Sequence, residues 1–253
     1  MALFDLTGKK ALVTGASRGI GHAIAVALAR QGADVAVNSR SVANLEQVRT
    51  DISELGRRVL AIAADVTDRD AAQGMVTAAI DGLGGLDIVV NNAGGTSFMV
   101  PFTEMRFSGW EKVMRLNVDS IVHVLQAAAP HLLEQRSGSV INVSSVAGVG
   151  GTPMLAPYGA SKSAVISLTR SLAMEWGQAN VRVNALCPGW TATDLNRNLW
   201  ENPEASRALT DQIPLGRWAR AEEMTGAAVF LASDASSYLT GHTLLVDGGL
   251  TAG

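Results

Sequence analysis

Tyr158 and Lys162 stand four residues apart in a stretch whose pattern predicts a helix over 157–178. On a helix that step leaves two side chains about 40° apart around the axis and roughly 6 Å apart along it, on one face. An ammonium held beside a phenol favours the phenolate. The pair therefore predicts a tyrosine pKa lowered from about 10 toward working pH, and a side chain able to give and take a proton. The same spacing also occurs in ordinary solvated pairs. Upstream, the β-branched run Val140-Ile-Asn-Val143 ends in Ser144 and Ser145, and either hydroxyl can orient a carbonyl oxygen. Asn117, inside Arg115-Leu-Asn-Val118, is a poor helix former in a segment that otherwise reads as helix. When not simply exposed, such a residue marks a bound water or a local distortion.

A second chemistry is written near the N-terminus. The apolar run Ala11-Leu-Val-Thr14 leads into Gly15-Ala16-Ser17-Arg18-Gly19-Ile20-Gly21 and then an Ala-rich helix. Glycines let backbone approach a ligand, and the free N–H groups and dipole of a helix start favour a pyrophosphate. A glycine turn after a strand also occurs with no ligand. The next apolar run ends Val35-Ala-Val-Asn38-Ser39-Arg40, with Ser39 where an NAD site places an acid for the adenosine 2′-hydroxyl. Arg18 and Arg40, with no acid between them, can pair with a 2′-phosphate, which predicts NADP(H); read singly, each is also a plausible solvated surface charge.

These residues need a scaffold, and the rest of the chain supplies one. Short β-branched runs near 10–14, 34–38, 59–64, 86–91, 139–143, 181–186 and 243–247 alternate with helical patterns near 19–31, 42–55, 68–82, 108–133, 157–178 and 221–232. That is the rhythm of a parallel α/β sheet flanked by helices. Thr67 with Asp70 and Ser108 with Glu111 have capping-box spacing, and Pro130 is expected to kink or shorten the fourth helix. No linker or repeat divides residues 1–253, so a single domain is expected. The 27 residues 190–216 lack a clean period and are long for a connector, which predicts a substrate lid.

Composition narrows the partner. With 47% apolar and 17% charged residues and a net charge of −3, the chain can fill a core. It has no basic run for nucleic acid or an anionic membrane. No window holds about 18 uninterrupted apolar residues, and the first ten residues lack the features of a signal peptide. One cysteine, Cys187, fits a reducing compartment, so a cytoplasmic protein with a small-molecule partner is expected. His22, His123, His131 and His242 lack metal-site spacing, and no metal is expected.

Taken together, Thr14-Gly15-x-x-x-Gly19-x-Gly21, Asn91-Asn92-Ala93-Gly94, Ser145 with Tyr158-x-x-x-Lys162, and Pro188-Gly189 followed by Thr193 resemble the signatures of the short-chain dehydrogenase/reductase family. They occur in order and extend to Val246-Asp247-Gly248-Gly249. The resemblance implies a Rossmann-type doubly wound sheet and a catalytic set of Asn117, Ser145, Tyr158 and Lys162. Ser145 rather than Ser144 is implied by the family's thirteen-residue step to the tyrosine. Tyr158 is the implied general acid, Lys162 also holds the nicotinamide ribose, and Asn117 positions a proton-relay water. The implied cofactor contacts are Gly15, Ser17, Arg18, Gly19, Ile20, Gly21, Ser39, Arg40, Asp65, Val66, Asn92, Ala93, Gly94, Pro188, Gly189, Thr191 and Thr193, with Tyr158 and Lys162.

The implied reaction is NADPH-dependent reduction of a ketone or 3-oxoacyl group to a secondary alcohol. An alcohol or polyol dehydrogenase working in the oxidative direction is the alternative, and a non-catalytic redox-sensing dinucleotide binder the remote one. The latter lose the catalytic tyrosine, which is present here. Enoyl reductases of related fold place the lysine farther from the tyrosine. A homotetramer is implied by the family habit. Relatives that reduce carrier-protein substrates use two surface arginines; Arg136 matches one, but Ala179 stands at the other.

Overall fold

Apolar residues at alternate positions of short strands face opposite sides of a sheet, and here both sides are covered. The computed structural model describes residues 3–252; Met1, Ala2 and Gly253, the ends of the expected domain, lie outside the described residues. The strands are β1 (Lys10–Val13), β2 (Asp34–Ser39), β3 (Val59–Ala63), β4 (Ile88–Asn91), β5 (Gly138–Val143), β6 (Val181–Pro188) and β7 (Thr243–Val246). They form one sheet in the order β3-β2-β1-β4-β5-β6-β7, every neighbouring pair parallel. The helices are α1 (Gly19–Arg30), α2 (Glu46–Glu54), α3 (Arg69–Leu83), α4 (Phe107–Met114), α5 (Ser120–Gln135), α6 (Ala156–Trp176), α7 (Arg197–Trp200), α8 (Pro203–Thr210) and α9 (Thr225–Ala232).

The strand alternation sorts the core into two layers. Ala11, Val13, Val35, Val37, Ile88, Val90, Ile141 and Val143 pack with α1, α2 and α9 on one face. Leu12, Ala36, Val89, Val140 and Val183 pack with α3, α5 and α6 on the other. The chain runs outward from β1 to β3, then crosses back to β4 and builds the other half. The carboxyl ends of β1 and β4 thus meet at the point where the strand order reverses, the place where open α/β sheets bind ligands.

Four details depart from the sequence expectation, each for a local reason. β4 starts at Ile88 rather than 86, because Leu86 N–H donates to His131 Nε2 (3.1 Å) and its carbonyl accepts from Gln135 Nε2 (2.8 Å). β6 runs on to Pro188, paired with Val246, since proline is tolerated at a strand end. Neither expected capping box forms. Asp68 caps α3 by accepting from Ala71 N, while Thr67 is held by Asp65, and α4 starts after Arg106 with no side-chain cap. The expected helix over 108–133 divides at a π-helical turn, Arg115–Asp119, and Pro130 does not shorten α5, which continues to Gln135. The buried stripe Ile121, Val124, Leu125, Ala128 and Leu132 outweighs the one hydrogen bond that proline removes.

Candidate active site

The glycine turn is shaped by its contact with the end of β4. Gly15 (φ +63°) and Gly19 (φ +57°) occupy the left-handed region, which glycine enters without steric cost. A Cβ on Gly15 would lie 2.9 Å from Ala93 Cα, and one on Gly21 would lie 2.3 Å from Asn92 Nδ2. Asn92 Nδ2 donates to the carbonyls of Thr14 and Gly15, both at 3.1 Å, and Thr14 Oγ1 accepts from the N–H groups of Asn92 (3.0 Å) and Ala93 (3.1 Å). These bonds lock the turn against Asn92-Ala93-Gly94. The first turn of α1 has neither a side-chain cap nor an acid, so its N–H groups and positive dipole end are not met by a carboxylate of their own turn. Ser17, Gly19 and Ile20 are partly buried around this end.

Beside the turn, β5 and α6 bring together the four residues of the expected catalytic set. Asn117 lies in the π-helical turn, fully buried. Its Oδ1 accepts from Gly95 N–H (2.7 Å) and its Nδ2 donates to Gly95 O (3.1 Å) and Ser161 Oγ (3.0 Å). A Cβ on Gly94 would meet Asn117 Oδ1 at 2.8 Å and Lys162 Nζ at 3.2 Å, so Gly94 sits between the two groups. Ser145 Oγ accepts from Ala147 N–H (3.1 Å) and lies near enough to the Tyr158 phenol to act on its ionisation. Ser144, by contrast, donates to the Lys162 carbonyl (2.8 Å).

The relation between lysine and tyrosine differs from the sequence expectation. Burial pushes the Tyr158 phenol above its ordinary value, opposed by the nearby Ser145 hydroxyl; Lys162 is not among the groups that pull it down. The lysine Nζ lies over the ring, 5.7 Å from its centroid, and donates to Val143 O at 2.8 Å. The ammonium is thus turned to a backbone carbonyl rather than committed to the phenol oxygen. Burial also lowers the Lys162 pKa to about 8. Cys187, in β6 under this group, is buried and its thiol is pushed up by burial.

At the outer end, Ser39 Oγ donates to Ser41 O at 2.6 Å, and Arg18 and Arg40 are both exposed. Neither arginine forms an ion pair among the described residues. Asp65 accepts from Thr67 N–H (2.9 Å) and Thr67 Oγ1 (2.7 Å), which hold its carboxyl below the usual range, with Arg40 a smaller contributor. Val66 packs in the core, and its carbonyl meets His123 Nδ1 at 3.2 Å.

Residues 190–219 leave and rejoin the sheet through one stem. Ala192 N–H donates to Ala219 O and Ala219 N–H to Trp190 O, both at 2.9 Å, and the Trp190 and Trp218 rings meet edge to face at 5.5 Å. At its root a Cβ on Gly189 would lie 2.7 Å from Asp247 Cα, which packs this turn against the end of β7, and Thr191 donates to Gly189 O. The excursion carries the short helices α7 and α8 and reaches back over the site. A Cβ on Gly19 would touch Thr193 Cγ2 at 3.4 Å, and one on Gly95 would meet Leu195 Cδ2 at 3.2 Å. The Asp194 carboxyl is held below its ordinary range by Arg197, with Arg18 a smaller contributor, which places the glycine turn's arginine near this segment.

Two groups in this region escape sequence reading. Ser161 donates to Tyr158 O (2.7 Å) while accepting from Asn117, joining the π-helical turn to α6; its only signal is the three-residue step from Tyr158, typical of helical serine back-bonding. A buried chain runs from Asn91 Nδ2 to Asn142 Oδ1 (2.9 Å), from Asn142 Nδ2 to Thr169 Oγ1 (2.9 Å), and on to Val165 O (2.8 Å). It ties β4, β5 and α6, and no sequence spacing announces it.

A glycine turn and an uncapped helix start at the reversal of a doubly wound parallel sheet, with a serine, a tyrosine and a buried lysine alongside, define a dinucleotide-dependent oxidoreductase. Residues 15–251 match the family described as enoyl-(acyl carrier protein) reductase. The chain is 41% identical over 249 residues to gluconate 5-dehydrogenase of Gluconobacter oxydans, covering 98% of this chain and 97% of that one. It is 38% identical over 245 residues to 3-oxoacyl-(acyl-carrier-protein) reductase of Thermotoga maritima, covering 97% and 98%. The crystal structure of a gluconate 5-dehydrogenase from Burkholderia cenocepacia, in complex with NADP and tartrate, superposes with a TM-score of 0.95 at 36% identity, covering 99% of this chain and 98% of that one. The chain belongs to the short-chain dehydrogenase/reductase family and is an oxidoreductase acting on CH–OH and C=O groups.

Proposed function

We propose that this chain is a single-domain enzyme, residues 1–253, that reduces a ketone to a secondary alcohol with NADPH. The observation that carries this reading is the Ser145 hydroxyl set near the Tyr158 phenol, beside buried Lys162, at the same strand ends as the glycine turn. Gly15, Ser17, Gly19, Ile20 and Gly21 offer backbone and a free helix start to the pyrophosphate. Asn92, Ala93 and Gly94 line the next step inward, and Pro188, Gly189, Thr191 and Thr193 the nicotinamide end. Ser39, exposed Arg18 and Arg40, and the turn at Asp65 and Val66 take the adenosine end. With no acid at Ser39 and two unpaired cations nearby, this end suits the 2′-phosphate of NADP(H), the cofactor in the Burkholderia structure.

The bound nicotinamide supplies the hydride for reduction and accepts it in the reverse direction. Ser145 orients the carbonyl oxygen by donating to it, and Tyr158, kept protonated by burial, gives its phenolic proton to the same oxygen. Lys162, with a pKa of about 8, stabilises the tyrosinate when its Nζ turns from Val143 O, and also holds the ribose. Asn117 keeps Gly95 and Ser161 in place and has acceptor capacity left on Oδ1 for a relay water. The same groups run the oxidation of an alcohol, which is the second reading, favoured by the name of the Gluconobacter relative.

A carrier-protein substrate is disfavoured by Ala179, which stands where the second surface arginine would be; Arg136, at the first, donates to Gln178 O at 2.6 Å. The three-residue gap between Tyr158 and Lys162 supports carbonyl rather than enoyl chemistry. No helix among the described residues is long and apolar enough to cross a membrane; a cytoplasmic homotetramer completes the reading. The test is a panel of ketones and alcohols assayed with NADPH and with NADH at the nicotinamide absorbance band. NADPH-dependent ketone reduction is expected, and alcohol oxidation with NAD alone overturns the assignment.

A further inference from the structure

Three non-glycine residues of the described chain have φ in the left-handed region: Arg136 (+53°), Met154 (+65°) and Asn180 (+56°). Arg136 and Asn180 terminate helices, where that conformation is the ordinary stop. Met154 instead follows Pro153 in the turn Thr152-Pro153-Met154-Leu155, closed by Leu155 N–H to Thr152 O at 3.2 Å, whose third position takes a positive φ that glycine or asparagine would usually supply. It precedes α6 by two residues, and its carbonyl accepts from Val100 N–H at 3.0 Å, which pins the loop after Ser145 to the loop after Gly94. Strained backbone that is not a cap persists where the surroundings impose it, and it concentrates at functional sites.

The side chain so placed belongs to an apolar rim. Met154 is 47% exposed, Met99 40%, Val149 50% and Leu195 55%, all on the three segments that border the Ser145–Tyr158 pair. Large apolar groups left open around a polar reaction centre mark a surface that something apolar covers. Charge points the same way. The one cation in residues 95–100, 149–155 and 190–200 is Arg197, which pairs with both Asp194 and Glu201 and lies over the Trp200 ring at 5.9 Å. With both acids on it, Arg197 leaves these segments no free cation, which disfavours a carboxylate substrate.

Resting on the carbonyl-reductase reading above, the geometry points to Met154 as a specificity-determining residue and to an uncharged ketone with an apolar arm as the substrate class. The arm lies against the thioether of Met154 and its neighbours, while the carbonyl reaches Ser145 and Tyr158. Methionine suits this place because its flexible, polarisable side chain adapts to the shape it covers. Sugar acids, the substrate named for the Gluconobacter relative, are disfavoured by the same surface.

The experiment compares kcat/KM for acetophenone, 2-butanone and 5-keto-D-gluconate in the wild type and in Met154→Asn and Met154→Leu. Asparagine accepts the left-handed backbone, so it keeps the Val100 bond and removes the apolar surface; the thermal midpoint reports that the fold is kept. The wild type is expected to favour acetophenone, Met154→Asn to lower the acetophenone-to-butanone ratio about tenfold with an unchanged or higher midpoint, and Met154→Leu to restore most of it. Preference for the keto-acid, or a ratio unmoved by Met154→Asn, overturns the substrate class and leaves the reaction class standing. Turnover of none of the three, with other ketones of the panel reduced, overturns the substrate class alone; reduction of no ketone in the panel overturns the carbonyl reading.

Discussion

Lys162 Nζ donates to the carbonyl of Val143 at 2.8 Å, although its helical partner in the proposed chemistry is Tyr158. The buried lysine is thus satisfied by the end of the strand that leads to Ser144 and Ser145. Its pKa of about 8 comes from burial.

That value makes folding stability pH-dependent. Between pH 8 and 10.5 the unfolded chain keeps a proton that the folded lysine has lost, so the stability of the wild type rises through this window relative to a variant without the group. Urea unfolding of wild type and Lys162→Met across pH 7 to 11 is expected to show the difference growing by up to about 3 kcal/mol. A difference flat with pH means the lysine is not desolvated as described.

Tyr158→Phe removes the proton donor and little else. Its kcat is expected to fall by about 10²–10⁴ with NADPH affinity nearly intact. Lys162→Ala is expected to lower kcat and also weaken NADPH, which equilibrium titration of cofactor fluorescence separates from the tyrosine variant.

Arg18 and Arg40 are exposed and free of ion pairs among the described residues, so removing either exposes no orphaned acid. Arg40→Ala or Arg18→Ala is expected to weaken NADPH roughly tenfold to a hundredfold and NADH much less. Ser39→Asp is expected to shift the kcat/KM ratio toward NADH, as the new carboxylate repels the phosphate and accepts from a 2′-hydroxyl. Equal loss for both cofactors in Arg40→Ala makes that residue a surface charge.

The chain from Asn91 through Asn142 to Thr169 is buried throughout. Thr169→Val leaves Asn142 Nδ2 without its acceptor and is expected to cost about 1–3 kcal/mol in urea unfolding. Thr169→Ser keeps the hydroxyl and is expected to cost less. Equal costs indicate a loss of packing rather than of the hydrogen bond.

If residues 190–216 close over ligands, their amides are expected to exchange quickly in the free protein and more slowly in the ternary complex. The stem at Trp190, Ala192, Trp218 and Ala219 is expected to be protected in both, because its backbone is paired. Hydrogen exchange by mass spectrometry reads the two parts separately.

Much of this architecture was legible in the order of residues. Strand alternation and helix periodicity are local properties, and they marked all seven strands and the helices that cover them, with errors of a few residues at the ends. The glycine turn was legible because a strand, glycines and a helix start adjoin in sequence. The step from Ser145 to Tyr158 was informative only through the family resemblance. Folding then decided what depends on burial and on distant partners. The Tyr158 phenol and the Lys162 ammonium respond to desolvation, and sequence spacing measures none of it, so the expected lowering of the tyrosine became a rise. The π-helical turn at Asn117, the side-chain partners that delay β4, and the chain from Asn91 to Thr169 all join residues far apart in sequence. The bond from Val100 N–H to Met154 O, across 54 positions, belongs with them.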